Sequence, residues 1–302
     1  MTLIPFHDRD GVIWFNGELL PWREAKVHVL SHALHYASAV FEGERVYGGE
    51  VFKLTEHSER LAHSARVMGM ELPYSVAEID QAIRDTVAAL GIKDGYVRPV
   101  AWRGSEMMGI SAQVCKINLA IAVWPWPSYF SPEARLKGIR LMTSKWRRPA
   151  PDTAPTDTKA AGLYMICTLS KHEAEAEGYD DALMLDYRGQ VADATGANIF
   201  LVKDGVIHTP TPDCFLDGIT RRTVIDLARA RGWVVVERAI MPEELADAEE
   251  VFLTGTAAEV TPVGQIDDYR YTPGEVSKTL WEDYDNLVNR RPVGSLPEAA
   301  AG

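Results

Sequence analysis

Apolar residues in the first half of the chain fall into short runs and into two helical patterns. Val12–Phe15 is an apolar run, and the Asn16-Gly17 pair after it is typical of a two-residue hairpin turn, which predicts two short strands. Between residues 55 and 69 apolar side chains recur at helical spacing. We expect that helix to end at Gly69, because glycine readily takes the left-handed conformation that closes a helix.

A second helix is predicted from its N-terminal signal. Ser75 and Glu78 have the three-residue spacing of a capping box, in which each side chain bonds the other residue's backbone N–H. Apolar residues then mark one helical face as far as Gly91. Two strands are predicted beyond it, at Tyr96–Trp102 and Lys116–Val123.

The second half of the chain combines strands and helices without regular alternation. Strands are predicted near residues 139–144, 182–186, 199–202, 206–208, 234–237 and 251–253. Helices are predicted near residues 160–177, 219–231 and 275–288. Because few strand–helix units repeat in order, the pattern favours an α+β fold over a doubly wound sheet.

A proline-rich segment separates the two halves. Three prolines lie within residues 124–132, a density that regular structure does not tolerate. We therefore predict a smaller N-terminal α/β domain at 1–124, an interdomain connection at 125–133 and a larger domain at 134–290. The tail at 291–302 is predicted to fray, and the aromatic residues of the connection are expected to line a cleft.

Charge and composition narrow the classes of function. Lys and Arg number 31 against 43 Asp and Glu, a net charge of −12 that argues against nucleic acid or an anionic membrane as a partner. No apolar stretch reaches the ~20 residues that span a bilayer, and the N-terminus lacks the apolar run of a signal peptide. Three scattered cysteines suit neither a disulfide framework nor a zinc site. We therefore expect a cytoplasmic protein without a metal.

Several residues that could carry chemistry follow one another along the chain. They are Arg60, Lys159, Asp193, Gly218-Ile219-Thr220 and Thr254-Gly255-Thr256. Taken singly, each is as typical of a solvated charge, a capped helix or a plain turn as of a site. Together they are the parts that pyridoxal phosphate (PLP) requires: an amine for its aldehyde, a carboxylate for its ring nitrogen and an anion cradle for its phosphate.

The chain also resembles the branched-chain amino acid aminotransferases, which are class IV (fold type IV) PLP enzymes. The matching segments occur in family order from about residue 12 to 265 and are His32–Tyr47, Glu56–Leu61, Tyr96–Pro99, Thr158–Tyr164, Gly196–Gly205, Leu216–Arg221 and Phe252–Val263. The resemblance implies a two-domain α+β fold with the active site in the interdomain cleft. It also implies transamination of Leu, Ile and Val with 2-oxoglutarate.

The resemblance further implies a role toward PLP for each matched residue. Lys159 is expected to hold the cofactor covalently and to carry the proton between the substrate Cα and the cofactor. Tyr164 is expected at the phenolic oxygen, Asp193 at the pyridine nitrogen and Leu216 against the ring. The phosphate ligands are expected to be Arg60, Ile219, Thr220 and Thr256.

Substrate contacts are implied in the same way. Tyr96 and the backbone of Thr256-Ala257 are expected to meet the α-carboxylate, and Arg98 the second carboxylate of glutamate. The side-chain pocket is expected to comprise Phe41, Gly43, Trp126, Tyr129 and Tyr164. A neighbouring subunit of a homodimer, or of a hexamer, is expected to supply Tyr36 and Ile110.

One departure from the family pattern leaves other activities open. Asp193 stands where the family almost always has Glu, so its carboxylate is one methylene further from the ring nitrogen. Ala197 also stands where common bacterial members have Glu, a change without a physical explanation. The alternatives are another class IV activity, such as a D-amino-acid transaminase, an (R)-amine transaminase or aminodeoxychorismate lyase, or a protein that binds PLP without turnover.

Overall fold

The computed structural model describes residues 4–126 and 137–293, which fall into two compact units. The first unit contains residues 4–126 together with Thr158–Leu163, and the second contains residues 137–157 and 164–293. The sequence-based boundaries place Thr158–Leu163 in the second domain, whereas the structure packs it with the first. Backbone pairing is the reason: Phe41 N–H donates to the carbonyl of Lys159 (3.2 Å), and Val40 forms a β-bridge with Ala160.

The described part of the first unit is built on one antiparallel sheet of seven strands. Its strands are β1 Val12–Phe15, β2 Glu18–Pro21, β3 Ala39–Phe41, β4 Glu44–Tyr47, β5 Glu50–Val51, β6 Gly95–Arg103 and β7 Ile117–Pro125. They lie in the order β2-β1-β7-β6-β4-β5, with β3 also paired to β6. The predicted hairpin is confirmed, since Asn16 and Gly17 both have positive φ (48° and 103°).

Three α-helices belong to this unit, α1 His32–Tyr36, α2 Leu54–Val67 and α3 Val76–Leu90. The capping box is confirmed, because Ser75 Oγ accepts from the Glu78 amide and the Glu78 carboxylate accepts from the Ser75 amide. Helices α2 and α3 contribute to the hydrophobic core with the sheet. Leu61, Ile83 and Ile121 are fully buried there, each contributing about 1.5–3 kcal/mol of burial free energy.

The described part of the second unit contains a mixed sheet of nine strands. They are β8 Ile139–Arg148, β9 Asp181–Asp186, β10 Val191–Ala194, β11 Asn198–Lys203, β12 Val206–Pro210, β13 Val235–Arg238, β14 Glu250–Gly255, β15 Glu259–Ile266 and β16 Tyr269–Arg270. The order is β10-β9-β8-β15-β14-β11-β12-β13, with β16 paired to β15. Strand β8 runs parallel to both β9 and β15.

The helices of the second unit are α4 Tyr164–Ala176, α5 Ile219–Ala230 and α6 Glu275–Val288. The last two match their predicted spans closely. The first begins later than predicted, because Ala161–Leu163 forms a short 3-10 helix. No helix among residues 4–126 and 137–293 has the length and apolarity to cross a bilayer.

Two predictions in the second unit were wrong. Asp193 was expected in a turn, but it lies within β10 and pairs with Met184 of β9 and Asn198 of β11. Strand β15 was missed, although it lies inside the sheet between β8 and β14. Its sequence contains Pro262 and Gly264, which are typical of strand edges and turns, so its local signal opposed its real structure.

Candidate active site

Lys159 is held by its backbone against the first unit's sheet. Its amide donates to Ser64 Oγ of α2 (3.0 Å), and its carbonyl accepts from the amide of Phe41 (3.2 Å). Its Nζ lies 4.9 Å from the centroid of the Phe41 ring. The structure therefore brings the predicted catalytic lysine next to a predicted wall of the substrate pocket.

Arg98 lies beside the same aromatic side chains. Its guanidinium carbon is 4.8 Å from the Phe41 ring centroid and 5.4 Å from that of Tyr96. Its Nε is buried and has no hydrogen-bond partner among the described residues. A cation stacked on two rings with an unused donor is suited to receiving a carboxylate.

Gly43 is required by the position of Tyr96. A Cβ atom at residue 43 would stand 1.9 Å from the Tyr96 hydroxyl oxygen, so any larger residue would displace the ring. Tyr96 also packs near Trp126, with ring centroids 5.6 Å apart. The predicted pocket residues Phe41, Gly43, Tyr96, Arg98 and Trp126 thus belong to one neighbourhood, whereas Tyr129 lies outside the described residues.

Arg60 is held by a buried carboxylate that the sequence analysis did not select. Glu42 is fully buried and accepts from Arg60 Nε (2.6 Å) and Nη2 (2.9 Å). His57 Nδ1 lies 2.7 Å from Glu42 Oε2, and the Gly43 amide donates to the same oxygen (3.2 Å). Although burial opposes its charge, Arg60 and His57 hold the pKa of Glu42 well below its usual range.

Tyr36 and Ile110 are on the surface of the first unit. Their exposed fractions are 47% and 90%. The Tyr36 ring stacks on His32 (centroids 4.5 Å apart), and His32 Nε2 lies 2.8 Å from the carbonyl oxygen of Gly109. One buried histidine therefore links the two surface positions.

In the second unit, Asp193 forms a buried ion pair with Arg148. Arg148 Nε donates to Asp193 Oδ1 (2.8 Å) and Nη2 donates to Oδ2 (2.9 Å). Burial raises the pKa of Asp193 to about 6, and Arg148 offsets that shift only in part. The pKa of Arg148 is itself raised, because the charge of Asp193 outweighs the effect of burial and Cys167 and Tyr164 add to it.

The start of helix α5 presents backbone donors. Its N-cap is Gly218, which provides no side-chain cap, so the first-turn N–H groups are available to an anion. Asn198 fixes this turn: its Oδ1 accepts from the Gly218 amide (3.2 Å), and its Nδ2 donates to the Leu216 carbonyl (3.0 Å). Ile219 and Thr220 are buried in the first turn.

The turn between β14 and β15 contains the last group of predicted residues. Thr254 is 1% exposed, and its Oγ1 has no hydrogen-bond partner among the described residues. Thr256 and Ala257 follow in the turn and are partly exposed. Gly255 lies close to the preceding loop, since a Cβ there would stand 3.1 Å from the carbonyl oxygen of Gly196.

Comparisons with known proteins decide the family. Residues 39–266 match the model of the family described as amino-transferase class IV. The chain is also 43% identical, over 93% of its length and 94% of the relative's, to the branched-chain-amino-acid aminotransferase of Pseudomonas aeruginosa. The chain belongs to the class IV aminotransferases. Members of this family use PLP, so the enzyme is a PLP-dependent aminotransferase.

Two solved structures show the same fold. A branched-chain aminotransferase of Thermoproteus uzoniensis with norvaline is 38% identical, with a TM-score of 0.90 over 94% of this chain and 96% of that one. A T.th. branched-chain amino acid aminotransferase complexed with N-(5′-phosphopyridoxyl)-L-glutamate is 41% identical, with a TM-score of 0.90 over the same fractions. The class IV fold predicted from the sequence is confirmed.

The residues of this aminotransferase fit PLP. The uncapped start of α5 and the unpartnered Thr254 hydroxyl offer donors for a phosphate. Asp193 offers a carboxylate, and Lys159 an amine. The donor set therefore matches the anionic phosphate, the ring nitrogen and the aldehyde of the cofactor.

Glu42 and Arg148 are the residues of this enzyme that sequence reasoning missed. Glu42 follows Phe41 in a matched motif, so its position was visible, but its partner Arg60 is 18 residues away. Arg148 follows Arg147 on β8, where adjacent side chains alternate between the two faces of a sheet. The Arg-Arg pair signals one inward arginine without revealing which one, or its partner.

Proposed function

We propose that this enzyme transaminates branched-chain L-amino acids with 2-oxoglutarate, in two ping-pong half-reactions that yield branched 2-oxo acids and L-glutamate. The observation that supports this substrate pair best is Arg98 stacked on Phe41 and Tyr96 with a buried, unpartnered Nε. Aromatic walls suit an aliphatic side chain, and one arginine suits the second carboxylate of glutamate. The two solved relatives bind norvaline and a glutamate adduct, which have these two chemistries.

The proposed catalytic residue is Lys159. When bound, PLP supplies an aldehyde that takes up the amino group and a ring that withdraws electrons from the substrate Cα. Lys159 holds the cofactor at rest and then moves the proton from the substrate Cα. Its backbone bonds to Phe41 and Ser64 fix where this side chain begins.

The remaining residues bind and orient. Asp193 faces the pyridine nitrogen, Tyr164 donates to the phenolic oxygen, and Leu216 packs on the ring. The proposed phosphate ligands are Arg60, Ile219, Thr220 and Thr256. For substrate, Tyr96 and the backbone of Thr256-Ala257 meet the α-carboxylate, whereas Phe41, Gly43, Trp126, Tyr129 and Tyr164 shape the side-chain pocket.

The proposed assembly is at least a homodimer. Large apolar side chains are exposed together in two neighbouring segments of the first unit: Val27, Val29, Leu30, Leu34 and Tyr36, and Met107, Met108, Ile110 and Val114. A patch of this kind marks an interaction surface, and a second copy of the chain is the partner we propose. Tyr36 and Ile110 then reach the neighbouring subunit's substrate.

Other readings are less well supported. A D-amino-acid or (R)-amine transaminase or aminodeoxychorismate lyase is disfavoured by relatives named as branched-chain enzymes. A PLP-binding protein without turnover is disfavoured by the intact Lys159. We place the enzyme in the cytoplasm, since its three cysteines are buried and free, as expected in a reducing compartment.

The test is a pair of half-reactions. Purified enzyme mixed with L-leucine, and separately with L-glutamate, should change its visible absorption, and Lys159→Ala should abolish turnover. The control is Lys278→Ala, an exposed lysine of α6, which should keep full activity. Arg98→Gln should slow the glutamate half-reaction about 10- to 100-fold and the leucine half-reaction little. Equal losses would assign Arg98 to the α-carboxylate or to the fold.

A further inference from the structure

Glu42 is a charged group placed between two residues of the substrate pocket. It directly follows Phe41, which ends β3, and it precedes Gly43 and β4. Its side chain is fully buried, and both of its oxygens accept hydrogen bonds. A buried carboxylate is costly unless several donors surround it, so its retention beside the pocket calls for an explanation.

The geometry of the Glu42–Arg60 pair fixes the direction of the guanidinium. Glu42 takes the edge formed by Nε and Nη2 of Arg60, at 2.6 and 2.9 Å. A guanidinium is planar and rigid, so engaging this edge directs its opposite, Nη1, end away from Glu42. The Arg60 side chain is 12% exposed, whereas that of Glu42 is 0% exposed.

The charge state of the cluster is constant at neutral pH. Burial opposes ionisation of Glu42, but Arg60 and His57 lower its pKa below the usual range, so it remains an anion. Burial lowers the pKa of His57, so the ring is neutral and donates one hydrogen bond through Nδ1. His57 thereby gives Glu42 a further donor without adding a second positive charge.

We propose that Glu42 is a positioning residue that holds the Arg60 guanidinium in the orientation needed to bind the cofactor's phosphate. The inference rests on the proposed phosphate role of Arg60. Because Glu42 is continuous with Phe41 and Gly43, the same short segment sets both the phosphate-binding arginine and two walls of the substrate pocket.

The neighbouring Glu44 provides a matched control. It is also fully buried, two residues further along the chain, but neither of its carboxylate oxygens has a hydrogen-bond partner among the described residues. Burial, reinforced by Glu42 and Asp80, raises the pKa of Glu44 well above its usual value, so it is a neutral acid. Glu44→Gln therefore replaces one neutral polar group with another at the same depth.

The experiment titrates the apoenzyme with PLP and with pyridoxal, which lacks the phosphate. Glu42→Gln should weaken PLP binding about 10- to 100-fold and change pyridoxal binding less than about twofold. Glu44→Gln should leave both affinities at the wild-type value. Glu42→Asp, which keeps the charge but cannot match the bidentate geometry, should weaken PLP selectively and covers the case in which Glu42→Gln does not fold.

The other outcomes overturn the inference in distinguishable ways. PLP binding that is unchanged or tighter in folded Glu42→Gln or Glu42→Asp would mean that Arg60 needs no positioning. An equal loss for PLP and pyridoxal would assign Glu42 to the fold alone. Arg60→Gln, titrated in parallel, separates the two proposals. If it leaves PLP affinity unchanged, the phosphate role of Arg60 itself fails, whereas a loss there without a loss in the Glu42 variants removes only the positioning role.

Discussion

Glu42 in the first unit and Asp193 in the second are both buried carboxylates held by a bidentate arginine, yet burial prevails over pairing in only one of them. Glu42 has Arg60, His57 and the Gly43 amide as donors, and its pKa falls below the usual range. Asp193 has Arg148 as the donor to both of its oxygens, and burial raises its pKa to about 6. The number of donors around a buried carboxylate, rather than the presence of one ion pair, decides its charge.

The largest effect should come from removing each arginine. Arg148→Met leaves Asp193, Cys167 and the Ala194 carbonyl without a donor, and should lower the free energy of unfolding by about 3–5 kcal/mol. Arg60→Met should cost about 1.5–3 kcal/mol, because His57 and the Gly43 amide still serve Glu42. Urea unfolding of the apoenzymes measures both losses.

A surface arginine serves as the control for these two variants. Arg23 is half exposed and pairs with Asp8 and Asp10, so Arg23→Met should cost no more than about 1 kcal/mol. Equal losses for Arg60→Met and Arg148→Met would contradict the argument from donor number.

The pH dependence of stability should have opposite signs at the two carboxylates. The raised pKa of Asp193 gives stability that is present at low pH and is lost as the pH rises through about 6. Relative to Asp193→Asn, the wild-type apoenzyme should therefore lose up to about 3 kcal/mol between about pH 4 and about pH 8. The lowered pKa of Glu42 gives stability that is present above its ordinary pKa and is lost at lower pH.

Unfolding midpoints of Asp193→Asn, Glu42→Gln and the wild type across this range test the signs. The difference between the wild type and Glu42→Gln should be flat from about pH 6 to about pH 8 and should shrink below about pH 4.5. A flat profile for Asp193→Asn would show that Arg148 alone suffices to keep Asp193 ionised.

The smallest effect concerns the length of the second carboxylate. Asp193→Glu extends the side chain by one methylene, toward the length usual in the family. We expect PLP to bind about 10-fold more tightly, since a carboxylate in direct contact with the ring nitrogen gains a charge-assisted hydrogen bond. Weaker PLP binding and slower removal of the substrate Cα proton would instead mean that the backbone already brings Asp193 into contact.

Asp186→Glu is the matched control for that substitution. Asp186 is also a buried aspartate of the second unit, and it pairs with Arg188. It has no proposed role toward the cofactor, so its extension should leave PLP affinity at the wild-type value.

Local sequence signals predicted the elements that depend on a few neighbouring residues. The hairpin at Asn16-Gly17, the capping box at Ser75 and helices α5 and α6 are formed by contacts within a few residues, so their patterns could be recognised directly. Strand β15 was missed because its Pro262 and Gly264 oppose a strand, and pairing with β8 and β14 overrides them.

The sequence by itself determined the family motifs and, through them, the identities of Lys159, Arg98 and the other proposed site residues. Only the tertiary structure decided which partners those residues have. Asp193 meets Arg148 across 45 positions, and Glu42 meets Arg60 across 18. A charged group's pKa depends on its burial and on donors brought from distant parts of the chain, and neither quantity is encoded in the residues beside it.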